Sequence, residues 1–508
     1  MFLSRSQKAP GSESGGICEN SITFWQEFLQ EPKTKSLIPE GYPKVGCVPI
    51  SKPISKTKTP IDPILNVLPL HEINEYKPAT WGPQAITNSF YKHTAKHAIY
   101  LPPHDFPDLC KKVDHYWKRH FHYLNDTRVV NIMATEKNLD STPGYPKMVA
   151  YDSERDFLEA NGWGPYHATI KQIMQGENPT PLWYVFLKSE ILKQEKIKNS
   201  DIRQIICPDP IVSRIGCMLD QHQNQIMKNN TEAGYGQCGW SPFQNGFRRR
   251  CMRLKSKNNN NYIEMDWTRF DGTIPIWLLA HIRRMRWNFI NKKHRKRWQK
   301  LADWYNWHLL HRFQLLQNGE ITYVEAGNPS GQISTTMDNN MVNVWLQYYE
   351  YFYLGGTEEE LKYFDTIVYG DDRLTTLRTL PHNYAERVIK MYEQHFGMWV
   401  KPENVKIQDT LVGLSFCGNT INTNYDPIPQ RINKLWASLI TPVKRLPNPD
   451  ALHCKLLCFQ LLMYNCGDHP FKEYLEIALS RSSRYCSPEL PARFTEEQME
   501  TIWRGGPK

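Results

Sequence analysis

Tyr369, Gly370, Asp371 and Asp372 set two adjacent carboxylates between two runs that favour extended chain. Thr366 to Tyr369 reads as one strand and Arg373 to Leu377 as its return, because β-branched and aromatic residues flank a Gly-Asp turn. A tight turn there would hold both acids forward, within reach of divalent metal. A second acidic site lies upstream, in Asp266-Trp267-Thr268-Arg269-Phe270-Asp271. Asn261 to Met265 before it suits a strand, and Pro275 with Ile276 to Leu279 after it suits a helix start. Asp266 would then end a strand, with Asp271 just past the turn. The chain between Asp266 and Asp371 has room for a helical excursion that returns to a neighbouring strand. Side by side, the two acids would offer the hard oxygen ligands that Mg²⁺ prefers, alongside substrate phosphates. A pair of such ions activates a 3′-hydroxyl and stabilises leaving pyrophosphate in an in-line displacement. Taken singly, each acid pair reads more readily as a solvated turn; their weight lies in occurring together.

Between them lies a Gly/Pro/Ser loop, Gly327 to Ser334, that runs into a helix. Met337, Met341, Val344, Trp345 and Tyr348 recur at helical spacing and predict a core face. Thr335 and Asn339, four apart, share another face. A hydroxyl and an amide there would hydrogen-bond a ribose 2′-OH, the group that separates RNA from DNA. The plainer alternative is a capped helix carrying incidental polar residues.

These three segments, read as DWTRFDGTIP, SGQISTTMDNN and YGDDRL in that order, resemble motifs A, B and C of viral RNA-dependent RNA polymerases of the picornavirus-like supergroup, with the wording of astrovirus polymerases. The resemblance covers most of the chain. It implies an α+β right-hand fold of fingers, palm and thumb, with an antiparallel palm sheet flanked by helices and closed by an N-terminal fingers-to-thumb arm. It also implies RNA synthesis from NTPs, with Asp266 and Asp371 ligating two Mg²⁺ ions (Mn²⁺ as a substitute) and Asp372 in support. Asp271, Thr335 and Asn339 would check the ribose, while Ser330 and Gly331 would shape a mobile loop beneath the template base. Ser141, Thr142, Pro143, Gly144, Tyr145 and Pro146 resemble motif G, which guides the template. Lys188 through Ile206 resembles motif F, with Lys196 and Arg203 as the pair on the triphosphate. An Arg fork binds phosphate bidentately, whereas Lys acts as a point charge. Phe396 through Lys406 resembles motif D, whose lysine protonates pyrophosphate as a general acid. Lys406 is the match, with Lys401 as a competitor. Leu414 to Gly418 sits where motif E would grip the primer strand, although it lacks the usual basic residue.

The implied organisation is an N-terminal arm over 1–60, fingers over 61–220, palm over 221–273, fingers again over 274–329, palm over 330–424 and a helical thumb over 425–508. Such a short thumb goes with a wide exit and a protein primer, VPg, in this group. The implied partners are template and nascent RNA, NTPs and a viral replication complex. The implied setting is host cytoplasm at membrane-associated complexes.

Composition fits these expectations. At 508 residues the chain is too long for one compact core. A net charge of +10 suits a polyanionic partner. Twelve cysteines show no Cys-x-x-Cys pair. With no secretory signal evident, free thiols in a reducing compartment are expected. His453, Cys454, Cys458, Cys466 and His469 could be read as a zinc set, but thiols on an apolar helix are the favoured reading. No apolar run reaches the length of a membrane span. The basic stretch from His281 to Trp298 resembles an RNA-contact or nuclear-import segment, and a solvated helix face is favoured over both. Two rivals remain. A reverse transcriptase also carries acids on a hairpin, but has a bulky residue where Asp271 stands. A non-catalytic RNA-binding scaffold would keep RNA binding without incorporation.

Overall fold

The computed structural model describes residues 21–50, 52–66, 73, 75–92 and 103–506. The first twenty residues of the expected arm lie outside them.

A four-stranded antiparallel sheet forms the floor of the molecule. Its order is Val405–Gln408, Tyr262–Met265, Asp372–Thr376, Asp365–Tyr369. Three of these four strands were legible as β-prone runs, and Val405–Gln408 completes the sheet along the edge of Tyr262–Met265. The helix Thr335–Tyr353 packs against this sheet, with Met337, Met341, Val344, Trp345 and Tyr348 in the main hydrophobic core as the periodicity predicted. Helix Ile276–Asn288 adds Leu278, Leu279, Ile282 and Met285 to the same core.

A second sheet has five strands in the order Lys44–Cys47, Glu320–Val324, Arg312–Leu315, Leu182–Leu187, Gln204–Cys207. Only the Leu182–Leu187 and Arg312–Leu315 pair is parallel. The strand Lys44–Cys47 thus ties the N-terminal segment to the fingers. Further on, Thr59 Oγ1 donates to the Val443 carbonyl at 3.2 Å. Leu65 is buried in the core of the C-terminal helices, with Trp436, Leu456 and Phe471. One segment therefore reaches from the fingers sheet to the helices Ile432–Ile440, Pro449–Leu462 and Pro470–Ser482. This is the fingers-to-thumb closure that the resemblance implies.

The basic stretch is not simply a solvated face. Arg283 and Arg286 are buried and pair with Asp220 and Asp338. Their aliphatic neighbours on the same helix face enter the core, and the two guanidinium groups follow them inward because two carboxylates wait there. Among the described residues, no group of three or more His, Cys, Asp or Glu is arranged to hold a metal ion. His453 is buried, with its ring nitrogens at 3.1 Å from Ser482 Oγ and 2.7 Å from the Pro491 carbonyl. Cys454 and Cys458 are exposed free thiols.

Candidate active site

The acids converge by strand register. Leu374 lies opposite Glu264, so two residues on Asp372 faces the strand end at Asp266. Partners in antiparallel register share a face of the sheet. Tyr369 pairs with Asp372 across a two-residue turn of Gly370 and Asp371. Gly370 has φ +61, a left-handed value suited to glycine at such a turn. The motif B helix clamps this turn: Asn340 Oδ1 accepts the Gly370 N–H at 2.6 Å, and Asn343 Nδ2 donates to the Gly370 carbonyl at 3.0 Å. The two asparagines had no signal in the sequence beyond their position on the helix.

The electrostatics are those of a site that wants cations. Burial, then the charge of Asp266, pushes the Asp371 pKa up. Burial, then Asp371 and Asp266, pushes Asp372 to about 7, against a hydrogen bond from the Cys417 N–H at 3.2 Å. Burial also raises Asp266, with Arg431 opposing it and Glu264 adding to it. A divalent ion would relieve the crowding of charge on Asp371 and Asp372, and carboxylate oxygens are the donor type Mg²⁺ takes. The donor chemistry therefore fits the metal that the resemblance implies, although the described acids are not gathered into a ready-made metal site.

In front of them opens a cavity of about 640 Å³, lined by Asp266, Asp372, Lys406, Cys417, Arg431 and Lys434. Lys406 projects from the strand beside Asp266, 3.4 Å from Glu264. Lys401 does not line this cavity; it precedes the short turn Pro402–Asn404 and is exposed. Arg431 and Lys434 were missed from the sequence, since they arrive from the start of the helix Ile432–Ile440 with no local motif.

Asp271 sits in the short helix Phe270–Thr273. Its carboxylate accepts Asn339 Nδ2 at 2.7 Å, and Asn339 Oδ1 accepts Asn328 Nδ2 at 2.9 Å. Burial, then the Asp371 charge, lifts the Asp271 pKa to about 6. Thr335 departs from expectation. Its hydroxyl donates back to the carbonyls of Pro329 and Gln332 at 2.8 and 3.0 Å, so it secures the loop rather than facing outward with Asn339. A hydroxyl at the first turn of a helix has backbone carbonyls close at hand. Ser330 Oγ accepts the Ile206 N–H and donates to the Gln204 carbonyl, each at 3.4 Å. A Cβ on Gly331 would meet the Ile206 carbonyl oxygen at 2.2 Å, so only glycine fits there.

The structure places Lys188 beside Arg203, where the sequence reading pairs Arg203 with Lys196. Arg203 forks onto Glu190, and the Asp271 and Asp371 charges act on it. Lys188 lies 3.5 Å from Glu190 and lowers the Asp271 pKa together with Arg203. Lys196 is exposed on the short helix Gln194–Lys198, where its charge is felt by Lys92. The reason is register: Leu187 pairs with Gln204, and the Lys188 N–H donates to the Arg203 carbonyl at 2.8 Å.

The template loop is corrected in part. Gly144, Tyr145 and Pro146 are buried, and Tyr145 packs with Trp25, Val48, Leu182 and Leu315. A Cβ on Gly144 would lie 2.7 Å from the Pro208 carbonyl oxygen. These three residues anchor the loop and present no side chain to a strand. Thr142 is exposed, and Ser141 is partly exposed with its hydroxyl donating to the Asn138 carbonyl at 3.0 Å.

A four-stranded sheet carrying paired acids beside an Asp–Asn bond, with one segment joining the second sheet to the C-terminal helices, is the arrangement that the resemblance to viral RNA-dependent RNA polymerases implies. A family profile described as viral RNA-dependent RNA polymerase matches residues 70–438. Non-structural polyprotein 1AB of Human astrovirus-8 is 51% identical over 99% of this chain, and that of Turkey astrovirus 2 is 41% identical over 92% of it. The matches span 36% and 29% of those polyproteins, so the chain corresponds to about a third of their length. The Sicinivirus 3Dpol RNA dependent RNA polymerase superposes with a TM-score of 0.67 at 13% identity, over 90% of this chain and 94% of that one. The chain belongs to the viral RNA-dependent RNA polymerase family, and its sequence relatives are astrovirus polyproteins.

Proposed function

We propose that this chain copies a positive-strand viral RNA genome by nucleotidyl transfer from NTPs, using two Mg²⁺ ions and a VPg protein primer. When bound, the ions held by Asp266, Asp371 and Asp372 supply activation of the primer hydroxyl and neutralisation of the leaving pyrophosphate. Arg203 and Lys188 orient the triphosphate, with Arg203 exchanging its Glu190 partner for phosphate oxygens. Asn339, fixed by Asp271 and Asn328, reads the ribose 2′-OH. Lys406 holds the proton that pyrophosphate takes. Ser330 and Gly331 carry the loop beneath the template base, and Thr142 and Ser141 border the template path. The proposed setting is a replication complex in host cytoplasm at membranes; no described helix is long and apolar enough to cross one.

The observation that carries this reading is the meeting of Asp266 and Asp372 on one cavity, with Asp371 close enough that its charge acts on Asp372 and on Asp271, which bonds Asn339. That bond also favours ribonucleotides over the substrates of a reverse transcriptase. The test is primer extension on a homopolymer RNA template with Mg²⁺ or Mn²⁺, comparing ribo- and deoxyribonucleotides, with Asp371→Ala alongside. Wild type should incorporate ribonucleotides, and the variant should bind template without incorporating. Equal use of both sugars, or incorporation by the variant, would refute the reading. For the primer, nucleotide should become covalently attached to VPg; extension with no such product would remove that part.

A further inference from the structure

The helix Lys292–Leu310 carries a face that the catalytic reading leaves unused. Lys293, Lys296, Lys300, Asp303 and Trp307 follow one another at spacings of three and four, so they form one stripe along the helix. All five are exposed. The stripe is about 21 Å long at ~1.5 Å per residue. Lys292 and Arg297 flank it, and exposed Arg284 comes from the preceding helix to border the groove beside Trp307.

This face differs from an ordinary solvated one in two independent ways. First, its charge is uncompensated. Among the described residues none of Lys292, Lys293, Lys296, Arg297, Lys300 or Arg284 makes an ion pair, although basic residues elsewhere on these two helices do. Lys300 only donates to the Met174 carbonyl at 3.3 Å, and Arg297 lies over the Trp298 ring at 4.9 Å. The single acid of the stripe, Asp303, is taken by the Gln299 amide at 2.8 Å. Second, the stripe ends on an aromatic platform. Trp307 is 55% exposed. One side of its ring stacks on His311 at 3.9 Å between centroids, and His311 is held by Glu325 at 3.0 Å. The indole therefore stands fixed between two surface grooves of about 380 and 530 Å³.

We propose that this outer face of the fingers binds single-stranded RNA, separately from the catalytic cavity. Phosphates lie along Lys293, Lys296 and Lys300, and an unpaired base stacks against Trp307. Non-specific single-strand binding needs this combination of a cationic track and a flat aromatic surface. A lipid surface is a poorer match, because a membrane-lying helix presents a continuous apolar strip opposite its charges, and this face has one aromatic residue standing upright. The proposal rests on the polymerase reading, in that the strand bound is template or product outside the cavity.

The experiment compares the full chain with two variants, Lys293→Glu/Lys296→Glu/Lys300→Glu and Trp307→Ala. Binding is read by fluorescence anisotropy of a labelled RNA primer–template bearing either a short or a long single-stranded extension, over a salt series. Extension of the short template is measured in parallel. The triple variant should bind the long RNA more weakly and with a salt slope lower by about 2, at ~0.7 per phosphate released. Trp307→Ala should weaken long-RNA binding by at least about fivefold. Both should extend the short template as wild type does, which keeps the polymerase reading and this one separable. Unchanged affinity and unchanged slope for the long RNA would overturn the proposal. So would lysine-dependent binding to anionic phosphatidylserine vesicles with RNA binding intact, which would assign the face to membrane instead.

Discussion

Asp338 offers a sharp test of what holds the site in place. It is fully buried, one position before Asn339. Its carboxylate accepts Arg286 Nη1 at 3.0 Å, Arg283 Nη1 at 3.2 Å and Gln332 Nε2 at 2.9 Å. Asp220 completes the cluster, at 2.6 Å from Arg283 and 2.7 Å from Ser334 Oγ. Two guanidinium groups and two carboxylates leave the cluster neutral. Asp338→Ala strands one buried positive charge, and breaking one partner of a buried pair costs about 3–5 kcal/mol. At ~2.1 cal/mol/K per residue, unfolding of a chain this long loses about 1 kcal/mol per degree, so the melting temperature should fall by about 3–5 °C. Asp338→Asn should come close to the same loss, because its amide N–H₂ would face guanidinium donors. Asp338→Leu combined with Arg286→Met removes opposite charges together and should recover most of it. Gln332 and Ser334 also lose their tether, so the motif B loop loosens and the KM for NTP should rise. The assays are thermal unfolding and steady-state primer extension. A melting temperature within about 1 °C of wild type for Asp338→Ala would refute the reasoning that this cluster holds the helices Ile276–Asn288 and Thr335–Tyr353 together.

Asp372 carries a pKa raised to about 7. An acid raised on folding adds stability below its ordinary pKa and loses it as pH climbs through the raised value. Asp372→Asn should therefore stabilise the protein in EDTA at pH 8, by about 1–2 kcal/mol after allowing for partial exposure, and by less at pH 5. A gain that does not shrink with falling pH would contradict the assignment. Gly331→Ala places a methyl 2.2 Å from the Ile206 carbonyl, and the backbone shift should cost about 1–3 kcal/mol and cut incorporation sharply. Activity equal to wild type would show that the loop does not need this close approach. Lys188→Ala should raise the KM for NTP at least about tenfold, the size of one lost charge-assisted phosphate contact, while Lys196→Ala should change it little; the reverse order in a nucleotide titration would restore Lys196.

The catalytic hairpin was legible in the sequence because its signals are local. β-Branched residues on both sides and glycine at the turn specify strand, turn and strand with no help from distant chain. The Asp271–Asn339 pair was legible for a different reason: residue type announced polar chemistry, although only the fold showed that the two side chains bond to each other. What stayed hidden depends on partners remote in sequence. Tyr145 reads as part of a template-guiding loop until Trp25 and Leu315 close over it. Arg283 and Arg286 read as surface charge because Asp220 and Asp338 lie 63 and 52 positions away. Lys196 looked right by counting along the chain, but strand pairing between Leu187 and Gln204 brings Lys188 beside Arg203 instead. Counting measures contour, and a hairpin replaces contour with register.

The helix Thr335–Tyr353 explains why such costly polar burial is retained. Asp338 binds Arg283 and Arg286, Asn339 binds Asp271, Asn340 and Asn343 bind the Gly370 peptide, and Glu350 binds Arg373 at 2.9 Å. All of these helix residues are buried. An apolar core would hold the same helix as firmly, but it would tolerate small slides along and about the axis, since hydrophobic contact is non-directional. Each polar contact here is directional, and together they reach four segments: the helix Ile276–Asn288, the loop of Asp271, the Gly370 turn and the strand that follows it. A slide of the helix by one position would leave several of these buried groups without partners at once, at about 1–3 kcal/mol each. The separation between the Asn339 amide and the Asp371–Asp372 turn is therefore fixed by one rigid element, as the proposed placement of a nucleotide against a primer end requires.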